Sequence, residues 1–279
     1  MKQTALLAGA YLHHLCFESP NPEKLSKFYG KIMQMKPKSI GANIWLCSGK
    51  NRQILIKEGT KNRLEFAAFA CRDEAGLNLL KERVKEEGIE VTNLQPDLFQ
   101  NDSISIVDQD GHNISFGLSE PNMNSEGGLN GPLQHLTFAT LNVEKFVDFY
   151  VGKLGFCISD RVLHSNGNLA TCFVRSNHEH HTVACFKSDR IGVDHHSYEV
   201  GEWNGIRDWC DHFASMDIEL MWGPGRHGPG NNLFVFVEDP DGNWIEISAE
   251  LEVIHDRPSK DWPQEEKTLN LWGKAILRS

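Results

Sequence analysis

The sequence predicts an α+β protein made of two similar halves, each assembled from two units of one strand, one helix and several short strands. Three observations carry this. The segment LHHLCF at 12–17, followed by NPEKLSKFY at 21–29, returns as LQHLTF at 133–138 followed by NVEKFVDFY at 142–150. GIEV at 88–91 returns as DIEL at 217–220, and DQDG at 108–111 returns as DPDG at 239–242. His14 and His135 lie 121 positions apart and Asp110 and Asp241 lie 131 apart, so the copies differ only by loop insertions.

The units run over 10–57, 64–117, 133–186 and 193–248. Apolar residues at i, i+3 and i+4 spacing predict helices over 22–32, 73–87, 143–154 and 205–216. An N-terminal domain is expected at 1–119 and a C-terminal domain at 133–255. The stretch 120–132, rich in Gly, Pro and Asn, reads as their linker. Residues 256–279 carry two prolines and two tryptophans with no clear period, and are expected to lie across the surface as a tail.

The chain of 279 residues is long enough for two ordinary cores, and 40% hydrophobic with 24% charged residues fits a soluble globular protein. A net charge of −10 argues against a nucleic-acid or anionic-membrane partner. Seven cysteines (16, 47, 71, 157, 172, 185 and 210) form no C-x-x-C pair and most sit in apolar contexts, which favours a reducing, cytoplasmic compartment. The opening MKQTALLAGA has one lysine and too short an apolar run for a secretory signal, and no stretch approaches the ~20 apolar residues of a membrane span.

The chemistry concentrates in GPGRHGPGNNLFVFVEDPDGNWIE at 223–246. A Gly/Pro-rich loop presents Arg226 and His227, an apolar strand follows, and a tight turn leads to a second strand carrying Glu246. On a strand of period two Glu246 shares a face with Trp244 and Ser248. A carboxylate among Ile245, Ile247 and Trp244 is costly unless paired, hydrogen-bonded or metal-bound. A buried pair with Arg161 or Arg226 is one solution. A metal is the other, with His135 in the strand opening the third unit and His196 in VDHHSYEV (193–200) opening the fourth. Only one of His195 and His196 can face a given side, and alternation does not say which. We take His196. Two histidines and a carboxylate with open positions suit non-haem Fe(II), and also Mn(II). The corresponding residues of the first half, His14, Ala67 and Ser115, retain one donor type of three, so the first half is expected to bind no metal.

These residues and the repeat resemble the vicinal oxygen chelate superfamily (glyoxalase/bleomycin-resistance-like domains), and within it the two-domain type I extradiol ring-cleaving dioxygenases. The resemblance covers about 11–254. It implies four βαβββ modules paired into two cups, with the metal in the C-terminal cup on His135, His196 and Glu246. It also implies an acid/base histidine in the strand around HEHHTVACF (178–186), where His181 fits best and His180 is the alternative. A second pocket histidine falls on His227. An imidazole is suited to proton transfer near neutrality. The family usually has tyrosine nine residues after the loop histidine; here that position is Phe236. Tyr198 is the candidate to replace the missing hydroxyl. Phe173 and Phe236 would wall the ring, and Arg226 would meet an anionic substituent.

The function implied is cleavage of a small aromatic diol by O2 at an Fe(II) or Mn(II) site, in a homo-oligomer. Two other readings stand beside it: an isomerase, lyase or transferase on the same metal ligands, and a non-catalytic protein that sequesters an aromatic compound.

Overall fold

The computed structural model describes residues 3–100, 102–120 and 128–277. Residues 121–127, most of the expected linker, lie outside the described residues.

Helix α1 (Thr4–Ala8) precedes β1 (Tyr11–Ser19), α2 (Pro22–Lys31), β2 (Lys36–Gly41), β3 (Ile44–Gly49) and β4 (Arg52–Glu58). The second unit is β5 (Arg63–Ala70), α3 (Glu74–Glu86), β6 (Ile104–Val107) and β7 (Asn113–Gly117). The third is β8 (Leu133–Thr140), α4 (Val143–Val147), which widens into a π-helical turn over Asp148–Lys153, then β9 (Cys157–Leu163), β10 (Leu169–Arg175) and β11 (Val183–Lys187). The fourth is β12 (Gly192–Glu199), α5 (Trp203–Ser215), β13 (Trp222–Arg226), β14 (Leu233–Glu238) and β15 (Trp244–Ala249). The chain closes with β16 (Lys260–Pro263) and α6 (Glu266–Leu269).

The repeated Asn-x-x-Lys motif explains the matching helix starts. Asn21 accepts from the Lys24 amide and Asn142 from the Lys145 amide, each satisfying an otherwise free N–H of the first turn. The opening segment is folded: Ala5 and Ala8 are buried, and α1 packs so closely on α3 that a Cβ at Gly76 would come within 2.9 Å of the Ala8 backbone. Among the described residues no helix is long and apolar enough to cross a membrane.

The strands form two sheets of the same plan. The first runs β2-β3-β4-β1-β5-β7-β6 and the second β13-β14-β15-β12-β8-β11-β10-β9-β16. In both, the opening strands of the two units pair antiparallel at the centre. One module departs from the expected βαβββ pattern. The second unit has two strands after its helix, and Val91 makes only an isolated bridge to Ile106 where a third would lie. The chain beyond it turns inward instead: Leu94, Leu98 and Phe99 pack on Cys16, Leu55 and Phe66 and fill the first cup.

The two halves share one apolar core. Across it, the tyrosine ending each repeated helix meets the aspartate opening the other half's repeated turn. The Tyr150 hydroxyl lies 3.1 Å from Asp108 Oδ2, and the Tyr29 hydroxyl 3.4 Å from Asp239 Oδ2. Burial pushes the Asp239 carboxyl up to about 6.

The last segment is not a loose tail. β16 pairs parallel with β9 and becomes the ninth strand of the second sheet. Asp160 holds it, accepting from Arg257 Nη1 (2.9 Å), Trp262 Nε1 (2.9 Å) and the Lys260 amide (3.0 Å). Burial opposes ionisation of Asp160, but the nearby His180 ring and the Trp262 and Arg257 donors outweigh it and hold the carboxyl down to about 2. A depressed carboxyl stabilises the fold above its unfolded pKa of about 3.9, and that contribution is lost as pH falls through about 2. Asp160→Ala is therefore expected to cost about 2 kcal/mol at pH 7, because the Trp262 and Lys260 donors lose their shared acceptor while Arg257 keeps its pair with Glu252. Urea unfolding measures the loss, and faster amide exchange over 256–277 would locate it.

Candidate metal centre and cavity

Strands β8, β12 and β15 lie side by side in the middle of the second sheet. Ser197 sits opposite both His135 and Glu246 in register, so the side chains of these three residues share the concave face. His195, two positions before Ser197, shares it too. One nitrogen or oxygen from each of His135, His195 and Glu246 falls within 4.8 Å of the others. His135 Nε2 is 2.9 Å and His195 Nε2 3.3 Å from Glu246 Oε2, and His227 Nε2 approaches Glu246 Oε1 to 3.6 Å.

His196 is not in this group, which corrects the expectation that it joins His135 and Glu246. It points to the opposite face, into the core between the halves, with Nε2 3.3 Å from the Tyr29 hydroxyl and its ring against Phe17. Burial lowers its pKa to about 3. Tyr198 shares that face and is buried in the core, so it cannot offer a hydroxyl to the concave side. Arg226 is a further correction. Its guanidinium donates to Glu250 Oε2 (2.7 Å) and to the Asn231 carbonyl (2.7 Å) and lies over Trp272, and it does not line the cavity. Nor does Glu246 pair with Arg161, which bonds Asp261.

The outer nitrogens of the rings fix where the protons are. Gln134 donates Nε2 to Glu199 (2.8 Å) and Glu179 (2.9 Å); carboxylates only accept, so its Oε1 is turned toward His135 Nδ1 at 3.3 Å. His195 Nδ1 lies 2.6 Å from Asp194 Oδ1, and His227 Nδ1 lies 2.5 Å from the Leu269 carbonyl. Each Nδ1 therefore has an acceptor that can hold a ring hydrogen, which frees the Nε2 lone pairs for a cation; without one the facing Nε2 atoms donate to the Glu246 carboxylate. Burial lowers the His135 pKa and so opposes a second proton there. Burial alone would raise Glu246, but His135, His195 and His227 hold it well below the usual carboxylate range. Lone pairs converging on a buried carboxylate repel unless positive charge lies among them, and this donor set fits a divalent cation.

His181 stands beside the group, its ring centroid 4.1 Å from that of His135. The same reasoning extends through its neighbour. Asp160 Oδ2 lies 3.1 Å from His180 Nε2, and although the pair is not aligned as a hydrogen bond, the negative charge favours the hydrogen on that nitrogen. His180 Nδ1, the acceptor of the neutral ring, is 3.0 Å from His181 Nδ1. His181 is thus protonated at Nδ1 and presents Nε2 as a base. Burial holds its pKa well below the usual range, which keeps the ring neutral.

These polar groups form the floor of a cavity walled by Phe173, Phe186, Trp222, Phe236, Leu269 and Ile276. Phe173 meets His181 edge-on at 5.1 Å, Phe236 meets His195 edge-on at 5.2 Å, and Trp222 stacks on Phe236. Leu269 and Ile276 belong to the segment read from sequence as a surface tail. In the first half, Phe66 stands edge-on to His14 at 5.5 Å, as His195 stands to His135 at 5.6 Å, and Ser115 bonds Ser105. The structural counterparts of His195 and Glu246 are thus a phenyl ring and a hydroxyl.

Of the supporting acceptors, Gln134 and Asp194 were not singled out from the sequence, and His180 was named only as the alternative to His181. Each immediately precedes the histidine it holds, and that adjacency is the signal that could have found two of them.

Comparison with known proteins places this geometry in context. Residues 133–247 match the family model described as the Glyoxalase/Bleomycin resistance protein/Dioxygenase superfamily. Metapyrocatechase 2 of Cupriavidus necator is 26% identical over 248 residues, covering 78% of this chain and 75% of that protein. The homoprotocatechuate 2,3-dioxygenase of Arthrobacter globiformis superposes with a TM-score of 0.81 at 19% identity, covering 96% of this chain and 88% of that one. A Mn(II)-bound glyoxalase from Novosphingobium aromaticivorans superposes with a TM-score of 0.78 at 21% identity, covering 95% and 91%.

Proposed function

We propose that this chain, whose C-terminal half carries a domain of the Glyoxalase/Bleomycin resistance protein/Dioxygenase superfamily over 133–247, is an extradiol dioxygenase that opens an aromatic diol with O2 at a divalent metal held by His135, His195 and Glu246. The observation that carries this is the convergence of the Nε2 lone pairs of His135 and His195 on Glu246, each ring turned by an acceptor at its Nδ1. Iron(II) is the proposed ion; manganese(II) suits the same donors. When bound, it would polarise the two diol oxygens as a Lewis acid and offer open positions for O2.

The chain's own residues supply the rest. His181 Nε2 accepts the proton released from one diol hydroxyl and holds it for return to the product. His227, fixed through Nδ1 by the Leu269 carbonyl, turns Nε2 to accept a hydrogen bond from the ligand. Phe173 and Phe236 flank the ring, and Leu269 and Ile276 exclude water at the mouth. Free, largely buried cysteines support a reducing compartment for the protein.

Among the described residues no lysine or arginine lines the cavity, and Arg226 is held by Glu250 outside it. We read the substrate as a diol without a charged substituent. Burying an unpaired carboxylate there would be costly, so kcat/KM for carboxylated catechols is expected to be about 100-fold below that for catechol and alkylcatechols. The test is oxygen uptake by anaerobically reconstituted protein over such a panel, with spectroscopic detection of the ring-opened acid. Metal bound stoichiometrically without oxygen uptake on any catechol would move the chain to the second reading, a metal-dependent isomerase, lyase or transferase.

A further inference from the structure

Asn232 is nearly fully buried in the wall of the cavity, just before β14. Its carbonyl accepts from the His227 amide at 2.9 Å, so its backbone is held against the loop that carries His227. Its side-chain amide donates Nδ2 to Glu246 Oε1 at 3.2 Å and to Ser248 Oγ at 2.9 Å. A carboxylate accepts only, so the NH2 group must face Glu246, and the orientation of the carboxamide follows from that. The other end is then committed: Oδ1 is buried with no hydrogen-bond partner among the described residues. Buried polar atoms are rarely left unpaired, and such an acceptor in a cavity wall marks a place where a donor arrives.

We propose that Asn232 is a substrate-binding residue: its Oδ1 accepts a hydrogen bond from a hydroxyl of the bound diol. The inference rests on the diol-cleaving reading and adds to it a residue with two tasks. Nδ2 braces the ligand carboxylate of Glu246, while Oδ1 holds the hydroxyl that keeps its proton. The second task gives the two diol oxygens unequal surroundings, since His181 Nε2 takes a proton and Asn232 Oδ1 retains one. The phenyl ring of Phe236, four residues further on, contributes no polar atom to the same wall.

The experiment separates the two tasks by measuring binding rather than turnover. Mn(II) affinity of the Asn232→Ala variant is measured first. Anaerobic catechol affinity is then measured at saturating Mn(II), through the change in tryptophan fluorescence that Trp222 in the wall contributes, with Trp222→Phe as the blank. Loss of the brace is expected to weaken Mn(II) binding about tenfold. Loss of the acceptor is expected to weaken catechol binding to the metal-saturated variant by a further factor of about ten. Unchanged catechol affinity at saturating metal would overturn the proposal and leave Asn232 as a brace for Glu246 alone. If the variant does not fold, the catechol complex of the wild-type protein decides. Oδ1 within hydrogen-bond distance of a catechol oxygen supports the proposal; Oδ1 bonded to an ordered water, or unpaired, overturns it. Wild-type protein that holds Mn(II) and binds no catechol would overturn the functional reading and this inference together, whereas catechol binding insensitive to Asn232 overturns the inference only.

Discussion

His195→Ala is expected to lower metal affinity by more than about 100-fold, beyond the 10–100-fold typical of losing a group that only supports a ligand. His196→Ala, one position along, is expected to keep one divalent ion per chain and to lose about 2 kcal/mol of folding stability instead. The contrast arises because adjacent strand residues face opposite sides. His195 Nε2 is 3.3 Å from Glu246 Oε2, while His196 fills a place in the interdomain core against Phe17 and Tyr29. Elemental analysis after reconstitution, paired with urea unfolding, reads both effects. Retention of metal by His195→Ala together with its loss from His196→Ala would refute the assignment.

His181→Ala is expected to lower kcat by about 10²–10⁴ while metal stoichiometry and anaerobic catechol affinity stay near the parent values. Its ring lies against His135 but belongs to no ligand group, and its Nε2 is the nitrogen left to meet a substrate proton once His180 has taken Nδ1. His180→Phe should give a smaller loss of the same kind, since it removes the partner that selects the His181 tautomer without removing the base. Single-turnover kinetics distinguish this from a binding defect. Equal rates for parent and His181→Ala would show that the proton moves by another route.

Much of the molecule was legible in its residues because the chain repeats. Two copies of the same strand and helix pattern gave the modules, and the recurring Asp-x-Asp-Gly turns marked matching points in both halves. His135 and Glu246 stood out because each is a polar residue in an apolar strand. Choosing between His195 and His196 was a different matter. Val193 and Tyr198 both face the core although they are five positions apart, and strict alternation would put them on opposite faces. An irregularity in the pairing of β12 with β8 between Val193 and His195 shifts the register. A one-residue shift turns every later side chain to the other face, and nothing local announces it.

The final segment was misread for a related reason. Its residues show no period because β16 is short and exposed, while its anchors, Asp160 and Leu163, lie about a hundred positions earlier. The amino-acid sequence by itself determined the doubled α+β architecture, the asymmetry between a first half short of donors and a donor-bearing second half, and the class of chemistry those donors can support. Only the tertiary structure decided which histidine joins His135 and Glu246, that Arg226 pairs with Glu250, and that Leu269 and Ile276 line the cavity. Those outcomes depend on strand register and on contacts between distant segments, and a side chain's local neighbours carry no record of either.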